Sequence, residues 1–227
     1  MKLMERLSLE PFTLIVSLPK NDVELAKAAL DAGADALKVH IHVKHRASGT
    51  QFGSLAQELR AIEAICSLSD RPVGLVPGDR PFAEPDELKQ ARDVGIDFVD
   101  AYIHHLPAYA LGTSLTVMAA LDYTFTQADA AILHELDFVD CIEASIVHPE
   151  GYGAPLNVAD LVCYRQITAA GDKPVVVPSQ RVLVPDELRY LAAVGVRGAV
   201  LGAIVTGATP GSLAQAVAAF RKSADAL

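Results

Sequence analysis

The 227-residue chain has no tryptophan, only three cysteines and no long hydrophobic run. Cys66, Cys141 and Cys163 show neither metal-type nor redox-motif spacing, so they read as buried reduced thiols. The longest apolar stretches, such as Ala199 to Val205, stop far short of the roughly 20 residues that cross a bilayer. Basic residues are outnumbered 19 to 28, a net charge of −9. That balance argues against general nucleic-acid or acidic-membrane binding, while leaving room for a local basic patch that holds phosphate. Near the start, MKLMERLSLEPF puts Glu5 and Arg6 where a signal peptide needs an apolar stretch, so a cytoplasmic location is expected. The chain is 51% hydrophobic with 15 Gly and 13 Pro, which is a globular composition and excludes a disordered or collagen-like chain.

Short apolar runs recur about every 25 to 30 residues: Thr13–Pro19, Ala34–Val43, Pro72–Pro77, Phe98–Ile103, Thr116–Tyr123, Phe138–Val147, Pro174–Ser179 and Gly198–Val205. Each is rich in branched residues and bounded by Gly, Pro or Asp, as a buried parallel strand should be. Helix-compatible segments lie between them, with start signals at Asn21-Asp22, Ser54, Pro85-Asp86-Glu87, Thr126, Asn157 and Pro185-Asp186-Glu187. Gly33, Gly95, Gly171 and Gly195 stand where left-handed helix caps are expected. Eight such units predict an α/β fold, a single (β/α)8 TIM barrel spanning residues 1–227. A doubly wound open sheet is the rival, but its glycine-rich first turn is replaced here by Leu18-Pro19-Lys20-Asn21. The segment Pro85–Leu88, ending in Val94-Gly95, recurs 100 residues later as Pro185–Leu188, ending in Val194-Gly195. It reads either as a half-barrel echo or as two copies of a good helix start.

Alternation assigns strand faces. In the second strand, Leu37, Val39, Ile41 and Val43 take the helix side, leaving Lys38, His40 and His42 inside. In the fourth, Asp100, Tyr102 and His104 point inward, and in the fifth, Met118, Ala120 and Asp122. By analogy with the fourth, the sixth strand turns Asp140 and Ile142 inward and Glu143 outward, unless a bulge brings Glu143 inside. Six of the seven histidines, His40, His42, His45, His104, His105 and His148, fall at strand C-terminal ends or in the following loops, and only His134 sits mid-helix. In this fold that end carries catalysis.

Lys38 is the sharpest residue. A lysine inside an apolar parallel strand must be paired with a carboxylate, shifted in pKa, or used in chemistry. Asp100 and Asp122 are the expected partners, whether in a structural ion pair or around a general acid/base or Schiff-base amine. After the eighth strand, Gly202, Ala203 and Gly207 lie in a glycine-containing turn leading to the last helix, and Arg181 follows the seventh strand with Ser179 and Gln180. These positions match the fold's frequent phosphate site, or an ordinary turn. Two long loops, Lys44–Gly53 and His148–Asn157, mix glycine with polar residues and read as lids or as plain connections.

The stretch Val200–Thr206 (VLGAIVT) resembles the V-V-G-x-A-I-T segment that holds phosphate in the ribulose-phosphate-binding barrel superfamily. Gly33-Ala34-Asp35 through Phe52-Gly53 is similar in spacing to the second-strand region of ribulose-phosphate 3-epimerases. From the third strand onwards the layout is similar to N-acetylmannosamine-6-phosphate 2-epimerases. The catalytic lysine of those 2-epimerases is replaced here by Pro77-Gly78, and their glutamate by Pro178-Ser179-Gln180. The metal-ligand pattern of the 3-epimerases is also broken, with Lys38 in place of a histidine and His40 in place of an aspartate. The resemblance therefore implies a barrel with a phosphate site.

The expected function is an isomerase, epimerase or aldolase-type lyase acting on a small phosphorylated metabolite, with no cofactor and no metal. Lys38, Asp100 and Asp122 would work with His40, His42 or His104, and Arg181, Gly202, Ala203 and Gly207 would hold phosphate. The alternatives are a metal enzyme using His40, His42, His104 and Asp122, and a non-catalytic ligand-binding barrel. The partner expected is the phosphorylated substrate, without nucleic acid or membrane, and a homo-oligomer is left open.

Overall fold

In a computed structural model, which describes residues 2–227, eight parallel strands close in chain order into a barrel. They are β1 (Thr13–Ser17), β2 (Ala36–His40), β3 (Val73–Val76), β4 (Ile96–Tyr102), β5 (Thr116–Leu121), β6 (Cys141–Ala144), β7 (Val175–Pro178) and β8 (Gly198–Leu201). The helices are α1 (Leu3–Leu9), α2 (Val23–Asp31), α3 (Leu55–Cys66), α4 (Pro85–Asp93), α5 (Gln127–Glu135), α6 (Val158–Thr168), α7 (Leu188–Ala193), α8 (Ala203–Thr206) and α9 (Pro210–Ala224). This is the α/β (β/α)8 TIM barrel that the spacing predicts. Among the described residues one connection departs from it: β4 and β5 are joined by a 3-10 turn, Ala108–Gly112, rather than an α-helix. No helix in this set is long and apolar enough to cross a membrane.

The helix starts follow the capping residues. Asp22 accepts from the Glu24 and Leu25 N–H groups, and Asn157 from those of Ala159 and Asp160, which satisfies first-turn donors. The two PDEL copies share a device as well as a string. Glu87 accepts from the Glu84 N–H at 3.1 Å, and Glu187 from the Val184 N–H at 2.9 Å. They diverge afterwards, because Pro85 opens α4 directly whereas Pro185–Glu187 forms one 3-10 turn before α7. Gly33, Gly95 and Gly195 take the expected positive φ. Gly171 does not: glycine is needed there for space, since a Cβ would fall 2.4 Å from the His134 Cβ.

Two apolar layers result. The larger lies between strands and helices, with Leu37, Val39, Val99, Ala119 and Ile142 on the strand side. The smaller fills the lower barrel with Ile15, Ala36, Phe98, Met118, Cys141, Val176 and Val200, and Leu3 and Leu7 of α1 seal it from below. At its centre the Phe98 ring packs where β3 offers only Gly74; a Cβ there would stand 2.1 Å from the ring. The β3–β4 register shifts at Val73/Gly74, beside this contact. Gly74→Ala is therefore expected to destabilise the protein by about 1–3 kcal/mol through overpacking. Thermal unfolding checks this, and an unchanged melting temperature would contradict the packing.

Candidate functional site

Above this apolar floor the inward positions turn polar, and a cavity of about 520 Å³ opens at the C-terminal ends of the strands. Lys38 of β2 sits at its base. Its ammonium donates to Asp100 Oδ2 of β4 and, at 2.7 Å, to Glu143 Oε2 of β6. All three side chains are buried, yet they line the cavity. An ammonium has three N–H donors, so one is left for a ligand.

Glu143 corrects the expected orientation of β6. The string Phe-Val-Asp occurs at 98–100 and again at 138–140, but only the first copy lies within a strand. β6 begins at Cys141, and its pairing of Ala120 with Glu143 is regular, so no bulge is involved. Cys141 and Glu143 face inward, and Ile142 joins the helix-side core. Asp140 lies before the strand and accepts from the Val117 N–H at 2.7 Å.

The charges settle in a definite way. Burial works against the Lys38 ammonium, but Asp100 and Glu143 outweigh it, and the lysine holds its proton more tightly than a free one. Burial first, then the Glu143 carboxylate, push Asp100 up to about 8 against the pull of Lys38. The Lys38 ammonium thus sits beside an Asp100 biased toward its protonated form and a second carboxyl group, Glu143. One oxygen of Asp100, Oδ1, has no hydrogen-bond partner.

His40 also faces inward. Its Nε2 lies 3.2 Å from Ser17 Oγ, Nδ1 is unpartnered, and the ring stacks on Phe52 with centroids 4.7 Å apart. Burial, with His45 and Lys38 adding to it, keeps His40 well below the ordinary histidine range, so it is neutral. His45, only partly buried, is lowered to about 4 by desolvation first, with Lys38 adding to it. His104 and Asp122 stand at the rim, 3.7 Å apart, and Asp122 accepts from the Thr124 N–H and hydroxyl rather than approaching Lys38.

His42 leaves the site. β2 ends at His40, and His42 takes φ +57°, so strand alternation no longer applies to it. Its Nε2 lies 3.0 Å from both carboxylate oxygens of Glu87 at the start of α4. The histidine-based metal set is accordingly dispersed, and among the described residues no three His, Cys, Asp or Glu are gathered to hold a metal ion.

Around β7 and β8, Ser179 and Gly202 line the cavity, with the Gly202 N–H donating to Ser179 Oγ at 2.8 Å. Ala203 opens the short helix α8, while Gly207 closes it, its N–H donating to Ala203 O at 3.0 Å. Gly207 thus serves the turn. Arg181 is turned away as well: it makes a two-pronged pair with Asp160, both contacts 2.9 Å, and donates to Gly151 O. Its fork is spent on pinning the loop before α6.

The barrel is shared with known structures. Thiamine phosphate pyrophosphorylase from Pyrococcus furiosus matches at 16% identity over 96% of this chain and 97% of that one, with a TM-score of 0.69. A mutant tryptophan synthase alpha-subunit from the same hyperthermophile matches at 13% identity over 94% and 98%, with a TM-score of 0.72. At such identities the likeness is one of fold. No family model and no curated protein matches the chain.

Alternation within continuous strands locates Lys38, His40 and Asp100. The loop residues that complete the mouth, Arg46 and Tyr152, carry no periodic signal. Ser145 and Gln180 join them through hydrogen bonds that only the folded chain forms: Gln180 Nε2 donates to Ser145 Oγ at 2.9 Å and to the Tyr152 hydroxyl at 2.5 Å. Tyr102 extends this chain, its hydroxyl 3.0 Å from Ser145 Oγ.

Proposed function

We propose that the protein is an enzyme that moves a proton beside a carbonyl group of a small phosphorylated metabolite, as an isomerase or epimerase. The observation that carries this reading is Lys38 held between Asp100 and Glu143 at the base of the cavity. Proton transfer at a carbon next to a carbonyl needs a base for the C–H, a donor for the oxygen that gains charge, and an acid to return a proton. Glu143 is the base, and the unspent N–H of Lys38 bonds the developing enolate oxygen. Protonated Asp100 is the acid: return to carbon inverts or restores the centre, and return to oxygen gives an enediol. An amine must be neutral to form a Schiff base, and Lys38 holds its proton, so a Schiff-base aldolase loses support.

The phosphate end is assigned to the loops after β7 and β8. Supporting this are the resemblance of Val200–Thr206 to a phosphate-holding segment and the Ser179 hydroxyl, which accepts from the Gly202 N–H and donates to no described residue. The N–H groups of Ala203 and Ile204 open α8, where first-turn donors lack intrahelical acceptors.

The test is solvent-deuterium incorporation followed by proton NMR over a panel of phosphorylated aldoses, ketoses and sugar acids. At least one is expected to exchange the hydrogen next to its carbonyl, and its dephosphorylated form to exchange far more slowly. Borohydride is expected to trap no adduct on Lys38. Folded protein that exchanges no member of the panel would overturn the reading.

A further inference from the structure

Two cations at the cavity mouth are unused by the chemistry above. Lys44 and Arg46 lie in the loop after β2 and line the cavity. Neither side chain makes an ion pair or hydrogen bond with any described residue, in a chain whose net charge is −9. The acidic groups of the mouth are engaged elsewhere. Asp122 serves Thr124 and His104, and Asp79 accepts from the Arg80 N–H at 2.6 Å.

Arg46 is nevertheless held in place. Its guanidinium lies over the Tyr152 ring, 5.5 Å from the centroid. Tyr152 belongs to the loop after β6, and β2 and β6 stand on opposite sides of the eight-strand barrel. The contact therefore crosses the mouth above Lys38 and Glu143. The ring itself is anchored: Gln180 is buried, donates to the Tyr152 hydroxyl, and through Oε1 accepts from the Val147 N–H at 2.9 Å. A guanidinium held over a ring by cation–π attraction spends no N–H on a hydrogen bond to it, and that free fork matches a carboxylate or phosphate.

We infer that Arg46, assisted by Lys44, selects substrates that carry a second anionic group besides the phosphate, a carboxylate or another phosphate, bound at the cavity mouth. This rests on the assignment of the first phosphate to the loops after β7 and β8. Fixing Arg46 on Tyr152 beforehand reduces the ordering cost of binding. A net-acidic protein that takes a doubly anionic metabolite needs such uncompensated local donors.

Calorimetric titration with glycerol 3-phosphate and 3-phosphoglycerate tests this, because the two share a three-carbon chain and one phosphate while only the second adds a carboxylate. The wild-type protein is expected to bind 3-phosphoglycerate about tenfold more tightly or better, the size of a charge-assisted hydrogen bond. Arg46→Gln is expected to bring the two affinities within about twofold of each other, leaving glycerol 3-phosphate binding unchanged. Lys89→Gln, which removes one charge from the exposed surface of α4, should keep the wild-type ratio. Equal wild-type affinities, a ratio untouched by Arg46→Gln, or the same loss in Lys89→Gln would overturn the inference alone. If the folded protein binds neither ligand, the phosphate assignment falls and takes this inference with it.

Discussion

Lys38→Met is expected to lower the rate of deuterium exchange by about 10³-fold, the order found when a donor to a developing oxyanion is removed. Methionine keeps the length of the side chain, so what is lost is the charge and its N–H donors. Stability should fall too, because Asp100 and Glu143 are left facing each other in a buried site without their cation. Breaking a buried ion pair from one side costs about 3–5 kcal/mol. For a chain of this size that lowers the melting temperature by roughly 10 °C. The double variant Lys38→Met/Asp100→Leu separates the two effects. It should recover part of the stability, since one fewer carboxyl group is stranded, and none of the activity. Exchange by Lys38→Met within tenfold of wild type would remove Lys38 from the mechanism.

Raising the pH through 8 is expected to switch the proposed exchange reaction off, and Asp100→Asn should abolish that descending limb. Asp100 is pushed up to about 8, so in the proposed reaction it donates the proton below that pH and loses the role above it. The exchange rate should then drop about tenfold per pH unit on the alkaline side. Asparagine supplies no transferable proton, so the residual rate of Asp100→Asn should be low and flat across pH 7 to 9. The same group links pH to stability. Its folded value lies above its ordinary value of 3.8, so the folded protein retains a proton that the unfolded chain releases. That stabilisation is complete below about pH 4 and is lost as pH rises through 8. Lys38 is also raised from its ordinary 10.5, and its contribution is lost only at more alkaline pH. Wild type should therefore lose stability between pH 5 and 9 by more than Asp100→Asn does, as read by melting temperature. Equal losses would show that Asp100 does not hold this proton.

How far the site is legible in the sequence depends on where each residue stands in its element. Lys38 and Asp100 lie within continuous strands, where a period of two sets the face, and both point inward. Glu143 escapes because Phe138–Asp140 repeats the letters of Phe98–Asp100 without repeating their place. In β4 the string lies inside the ladder, whereas in β6 the ladder begins one residue later. The register pairs Met118 with Cys141 and Ala120 with Glu143, and a one-residue shift of register reverses every face. His42 escapes for a related reason, since its left-handed backbone ends the alternation two residues past β2. Arg181 is next in sequence to the loops proposed to hold phosphate, but Asp160, 21 residues earlier, captures its guanidinium.

By itself, the sequence determined the eight strand runs, their order, most of their helix caps and the inward-facing Lys38, His40 and Asp100 of the second and fourth strands. These are local properties, set by hydrophobic period and by the bonding needs of chain ends, and they suffice for a closed barrel. Tertiary structure alone decided which two carboxyl groups share Lys38 and where Arg46 comes to rest. Those contacts join β2 to β4 and to β6, strands that never pair with one another. Only closure and inter-strand register bring them to one point, and neither leaves a periodic trace in the chain.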